Sequence, residues 1–250
     1  MTDVTVAVDE FLTVLGFALL PALGNLAGGV LAELVRISER LLSLALHLAA
    51  GIVLAVIGIE LMPEALEATP AWMILTLFVA GGGFATVVDR FTHLVQARTG
   101  GESTDTGPWA IYFGVVVDLF SDGVMIGAGS TITLGLGLLL ALGQVPADIP
   151  EGFATIATFK KRDLARRTRV LLSVSFVLPI VLGATIGYWA VRGQPEIFKL
   201  GILSFTAGIL LTVVIEEIVP EAHQGEEARL AVLALVGGFA LFGLISVSFG

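Results

Sequence analysis

Cysteine is absent from this 250-residue sequence, which excludes disulfide frameworks, cysteine-ligated zinc, iron–sulfur clusters and thiol catalysis. Charged residues are scarce as well, at 14% of the chain, and 13 Lys and Arg face 22 Asp and Glu. The resulting net charge of −9 argues against a nucleic-acid partner, which selects basic surfaces. The strings HExxH and GxSxG, typical of metalloproteases and α/β-hydrolases, do not occur, so we expect no enzyme.

Apolar residues are abundant instead. They make up 56% of the chain, and the mean hydropathy is +0.96, whereas soluble domains contain about 45–50% apolar residues. Each bilayer crossing takes about 20 residues, so the length accommodates eight crossings. We expect an all-α integral membrane protein with one transmembrane domain over residues 1–250, because lipid offers the backbone no other partner than its own helix. The predicted spans are 11–32, 41–62, 71–89, 109–130, 132–158, 170–191, 199–219 and 228–248.

The basic residues predict the orientation. Alternate loops divide them eleven to two, with only Arg192 and Lys199 in the smaller set. Since cytoplasmic loops carry the excess of Lys and Arg, we expect a multi-pass protein of the cell membrane with both termini outside. The eleven cytoplasmic residues would be Arg36, Arg40, Arg90, Arg98, Lys160, Lys161, Arg162, Arg166, Arg167, Arg169 and Arg229.

Two similar strings reveal an internal repeat. Residues 60–65, ELMPEA, end the second predicted span, and residues 217–222, EIVPEA, end the seventh. The predicted orientation places these strings at opposite membrane faces. This arrangement is typical of an inverted repeat, here of helices 1–3 and 6–8 around central helices 4 and 5.

Four carboxylates lie at mid-depth of the two central spans. Asp118 and Asp122 share one face of span 4 at i,i+4 spacing, and Asp148 and Glu151 share one face of span 5 at i,i+3 spacing. Ionisable residues at this depth are costly and indicate function. Four neighbouring carboxylates repel one another unless a cation compensates them, and oxygen ligands of this kind bind divalent metals. The alternative from the residues alone is that protonated acids serve helix packing or a proton relay.

These motifs resemble the ZIP (Zrt/Irt-like) divalent metal transporters, through DLFSDG at residues 118–123 and ADIPEG at 147–152. The resemblance implies a ZIP-like fold, transport of zinc, iron, manganese or a similar cation into the cytoplasm, and a homodimer. It also implies that metal is the substrate and that no cofactor is needed. The metal ligands would be Asp118, Asp122, Asp148 and Glu151.

The sequence departs from the family pattern at the signature histidines. That pattern reads H-N-x-x-D/E-G in helix 4 and H-N/D/E-x-P-E-G in helix 5. The first histidine falls on Asp118 and its asparagine on Leu119, and the second histidine falls on Ala147. An oxygen-only ligand set weakens the preference for zinc. Two alternatives follow: a non-transporting metal sensor or regulatory relative, and a proton-coupled transporter of another solute. Candidate accessory residues are Ser121, Glu217, Glu221 and His223.

Overall fold

The computed structural model describes residues 2–36, 38–98, 108–218 and 228–249, and within them the chain forms eight helices and no strand. We number them in chain order. Helix α2 continues from an α-helical segment through a π-helical turn, Val56–Leu61, to Leu66, and α7 ends in a second π-helical turn, Val214–Ile218. The helices are α1 (Thr2–Leu34), α2 (Glu39–Leu66), α3 (Ala71–Arg98), α4 (Pro108–Ser130), α5 (Leu134–Lys161), α6 (Arg166–Val191), α7 (Glu196–Val213 and its π-helical turn) and α8 (Ala228–Phe249).

Seven of these described helices are long and apolar enough to cross a membrane. The exception is α5, which has 28 residues but carries Gln144, Asp148 and Glu151 together with two internal prolines. These residues lower its hydropathy relative to its neighbours. The all-helical membrane fold predicted from the sequence is confirmed, while the count of eight crossings stays a prediction.

The helices pack in four pairs, α1 with α5, α4 with α6, α2 with α8, and α3 with α7. Suppose that α1, α2 and α3 exchange places with α6, α7 and α8, and α4 with α5. The same four pairs result. The two π-helical turns are exchanged as well, since one lies in α2 and the other in α7. The packing is therefore the one that an inverted repeat predicts.

Glycines allow the paired helices to approach backbone to backbone. A methyl group at Gly28 of α1 would lie 1.9 Å from the carbonyl oxygen of Ile149 in α5, and one at Gly152 of α5 would lie 2.1 Å from the carbonyl oxygen of Asn25 in α1. Small residues bring membrane helices together in this way. The other three pairs have similar reciprocal contacts, at Gly123 and Gly183, Gly51 and Gly238, and Gly81 and Gly208.

Ion pairs join α1 to α6 near both of their ends. Arg169 of α6 donates to both carboxylate oxygens of Glu33, from Nε to Oε1 and from Nη2 to Oε2 at 2.9 Å. At the opposite end, the Tyr188 hydroxyl donates to Glu10 Oε2 at 3.0 Å, and Arg192 lies 3.8 Å from the same oxygen. The two helices related by the repeat are thus held together at both faces of the bundle.

Candidate metal site

Three carboxylates meet at the contact between α4 and α5. One oxygen each from Asp118, Asp122 and Asp148 lies within 4.8 Å of the others. The three residues are 7%, 1% and 2% exposed. The i,i+4 spacing puts both α4 aspartates on the face that meets α5, as the sequence predicts. Oxygens this close, from two different helices, are placed to contact one small cation.

The same carboxylates line a small cavity in the middle of the bundle. Gln144, Ala147 and Glu151 of α5 complete its polar side. Helices α2 and α7, which the repeat exchanges, supply apolar walls. Their lining residues are Val53, Leu210, Val213 and Val214. The cavity therefore combines an oxygen-rich wall with apolar walls that keep water out.

Hydrogen-bond donors are few around these carboxylates. The Gln144 side-chain amide donates from Nε2 to Asp122 Oδ1. The Glu151 carboxyl interacts with Asp148, and the buried atoms Asp118 Oδ1 and Asp148 Oδ2 have no partner among the described residues. Among the described residues, none that lines the cavity is Lys, Arg or His. Because buried carboxylates need compensation, this cluster is suited to a cation.

The structure brings together the residues that the sequence singled out as ligands. Asp118, Asp122 and Asp148 form the cluster, and Glu151 is half-buried beside them on the cavity wall. Ser121 is buried at 4% exposure but does not line the cavity.

Three further candidate residues cannot be assigned to the cavity. Glu217 belongs to the π-helical turn Val214–Ile218, and its side chain lies outside the described part of the structure. Glu221 and His223 lie outside the described residues altogether. An accessory role for these three residues stays a prediction.

Sequence reasoning missed Gln144. This residue is 1% exposed, and it lies one helical turn before Asp148 on the same face of α5. Its position was a usable signal, because a polar amide within the apolar stretch of a membrane helix is expected to face protein rather than lipid.

The two apolar replacements in the family pattern have different surroundings. Leu119 is fully buried in an apolar cluster with α1 and α6 residues, among them Val14 and Ile180. Ala147, by contrast, lines the cavity. A ligand is therefore missing from the cavity wall at position 147, whereas position 119 belongs to the packing between helices.

A comparison with protein families decides the assignment. The family model described as ZIP Zinc transporter matches residues 99–246, which is more than half of the chain. The chain belongs to this family. It is thus a multi-pass membrane protein for divalent metal transport and not an enzyme, and metal is its substrate rather than a cofactor, as the sequence predicted.

Individual ZIP relatives agree over most of the chain. Zinc transporter ZupT of Chlorobium luteolum is 27% identical over 259 residues, which covers 94% of this chain and 97% of the relative. Zinc transporter ZupT of Corynebacterium aurimucosum is 26% identical, with 90% of this chain and 93% of the relative covered. Zinc transporter ZIPB of Bordetella bronchiseptica is 26% identical over 65% of this chain and 54% of the relative.

Proposed function

We propose that this ZIP protein moves a divalent cation into the cytoplasm through a mid-membrane site formed by Asp118, Asp122, Asp148 and Glu151. The observation that carries the proposal is the cluster of three buried carboxylates whose oxygens lie within 4.8 Å of one another. In the described part of the chain, no basic side chain lines the cavity that they share. A transported cation supplies the missing positive charge.

The depth and the charge of the clustered carboxylates make the site costly without a cation. One aspartate at the centre of a membrane helix costs about 2.5–3.5 kcal/mol on insertion scales. Three such residues in mutual contact repel one another in addition. A cation that binds between them removes the repulsion and replaces lost hydration with carboxylate oxygens. The empty site is therefore costly, which favours the binding of a divalent ion.

The donor set defines the substrate class. The described residues of the cavity offer carboxylate oxygens from both central helices and no imidazole, and the chain has no cysteine. Oxygen ligands suit Mn²⁺ and Mg²⁺, and they also hold Fe²⁺ and Zn²⁺. The relatives named above are zinc transporters, but the missing imidazole at Ala147 weakens the preference for zinc here. We place manganese, iron and zinc together as candidate substrates.

Topology supports the direction of transport. The basic segment of residues 160–169, between α5 and α6, lies at the end of the bundle where Glu33 pairs with Arg169. The positive-inside rule supports a cytoplasmic location for this end and therefore termini on the outside, in a protein that we propose resides in the cell membrane. The chain would act as one transmembrane domain and as a homodimer, as the family resemblance implies. Alternating exposure of the central site would come from motion of one helix group against the other.

Cation flux into proteoliposomes tests the proposal. Mn²⁺, Fe²⁺, Zn²⁺, Co²⁺, Cd²⁺ and Mg²⁺ are offered one at a time to native protein, Asp122→Asn and Asp148→Asn. Each substitution keeps the side-chain shape and removes one charge. We expect both variants to transport any ion that the native protein carries at less than one tenth of the native rate, because each variant lacks one carboxylate ligand.

The control is Thr155→Val, which removes a buried hydroxyl of α5 outside the cavity. It should transport at the native rate, and unfolding temperatures in detergent verify that every variant is folded. Native flux in a folded Asp148→Asn protein would refute the site. Uptake that follows a proton gradient and ignores metal chelators would instead favour a proton-coupled transporter of another solute.

A further inference from the structure

Gln144 binds one of the three clustered carboxylates directly. Its side chain is 1% exposed, lines the cavity and donates from Nε2 to Asp122 Oδ1, across the contact between α5 and α4. An ionised carboxylate only accepts hydrogen bonds, so the amide nitrogen is the end of Gln144 that faces it. The contact is thus determined by the chemistry of both groups.

This hydrogen bond makes the two oxygens of Asp122 inequivalent. Oδ1 already accepts the amide hydrogen, which leaves this oxygen one lone pair and makes it a weaker ligand for a metal ion than an oxygen without such a bond. The neighbouring atoms Asp118 Oδ1 and Asp148 Oδ2 have no such partner among the described residues. Asp122 is therefore favoured to bind a metal ion through its other oxygen, while Asp118 Oδ1 accepts no hydrogen bond from the described residues.

The number of oxygens that a carboxylate offers affects which ion it prefers. Ca²⁺ takes about 6–8 oxygens at about 2.3–2.6 Å and often binds a carboxylate through both oxygens. Mg²⁺ requires near-octahedral coordination at about 2.0–2.1 Å. Small ions such as Mg²⁺ bind a carboxylate through one oxygen. A hydrogen bond to one oxygen of Asp122 disfavours metal binding through both oxygens, the mode that a large cation uses more often.

We propose that Gln144 is a specificity-determining residue that disfavours metal binding through both oxygens of Asp122 and thereby favours small divalent cations such as Mn²⁺ over Ca²⁺. It acts through Asp122 and is a positioning residue. The inference rests on the proposed function, because it assumes that the carboxylate cluster binds the transported ion.

The test measures Mn²⁺ and Ca²⁺ side by side. Initial uptake rates in proteoliposomes and binding constants in detergent are determined for native protein, Gln144→Met and Thr155→Val. Methionine matches glutamine in length and removes the donor. We expect Gln144→Met to raise the ratio of Ca²⁺ to Mn²⁺ at least tenfold in both measurements. Thr155→Val, a change in the same helix away from the cavity, should leave the ratio at its native value.

The outcomes separate the two proposals. A Gln144→Met protein that still transports Mn²⁺ with the native ion ratio overturns the role of Gln144 alone. Native protein that neither binds nor transports these ions overturns the proposed function and this inference with it. Gln144→Glu provides a second variant of the same length if methionine prevents folding. It replaces the amide donor by two acceptor oxygens, so the Ca²⁺ to Mn²⁺ ratio should rise again, and an unchanged ratio overturns the inference.

Discussion

Three consecutive glycines of α3 test the helix packing directly. A methyl group at Gly81 would lie 1.9 Å from the carbonyl oxygen of Phe205 in α7. At Gly82 it would lie 3.0 Å from the Thr212 hydroxyl oxygen, and at Gly83 none of the described residues of another helix lies within 4 Å. The three alanine variants therefore differ in one structural respect, the space that the neighbouring helix leaves.

The expected energies follow from these distances. Ordinary contacts of a methyl group begin near 3.4 Å, so Gly81→Ala requires α3 and α7 to separate by about 1.5 Å. Overpacking of this kind costs about 1–3 kcal/mol. Replacing a helical glycine by alanine returns about 0.5–1 kcal/mol. We expect a net loss of about 1–2 kcal/mol for Gly81→Ala and a gain of up to about 1 kcal/mol for Gly83→Ala.

Unfolding in detergent micelles, followed by tryptophan fluorescence, measures the series. Gly83→Ala should be at least as stable as native protein and Gly81→Ala the least stable. Gly82→Ala should fall between them, because the Thr212 hydroxyl can rotate away whereas a backbone carbonyl cannot. Equal stability of the Gly81 and Gly83 variants would refute the close approach of α3 and α7.

Two further predictions concern buried polar groups. Asn25 is fully buried, and neither polar atom of its side chain has a partner among the described residues. Asn25→Leu should therefore unfold in detergent at a temperature no lower than that of native protein. A clearly lower unfolding temperature would contradict the absence of a partner for the amide. Glu33→Gln should destabilise by about 2 kcal/mol because it leaves the guanidinium of Arg169 without its anion. The double variant Glu33→Leu with Arg169→Met should recover most of that loss, and an additive loss in the same denaturation assay would contradict the pairing.

The sequence was sufficient for the helices and for most of the candidate site. Long apolar runs predict membrane helices because their length must match the bilayer. The aspartates were recognisable because ionised residues are rare within such runs, and i,i+4 spacing determines that Asp118 and Asp122 share a face. What brings Asp148 to them is the packing of α4 on α5, which the structure shows.

Some features depend on tertiary contacts that one sequence does not display. Helix α1 begins at Thr2, well before the predicted start at residue 11. Acidic Glu10 interrupts the apolar run, but in the structure it accepts a hydrogen bond from Tyr188 and lies near Arg192, so it is tolerated within the helix. The bond from Gln144 to Asp122 likewise requires knowing which faces of α4 and α5 meet.

The low hydropathy of α5 has the same origin. This helix packs against α1, α4 and α2, so the bundle surrounds its polar middle. Gln144 and Asp148 are 1% and 2% exposed and therefore face protein rather than lipid. Mean hydropathy identifies helices that contact lipid. It is least informative about membrane crossing for a central helix that carries the polar groups of the site.

The inverted repeat also relates the two halves of the site. Gly123 of α4 lies against the backbone of α6, and Gly152 of α5 lies against the backbone of α1. The exchange of α1 with α6 and of α4 with α5 therefore makes these glycines equivalent. Asp122 and Glu151, which immediately precede them, are equivalent as well. At this position both halves supply an acid.

The two remaining pairs of equivalent positions are not matched. Four residues before each glycine stand Leu119 and Asp148, and five residues before stand Asp118 and Ala147. Each pair thus has a carboxylate in one half and an apolar residue in the other. Leu119 lies in an apolar cluster, and the Ala147 side chain provides no ligand atom to the cavity. A symmetric pair of ion sites would need ligands at both members of each pair, so the carboxylates present favour one cation held between α4 and α5.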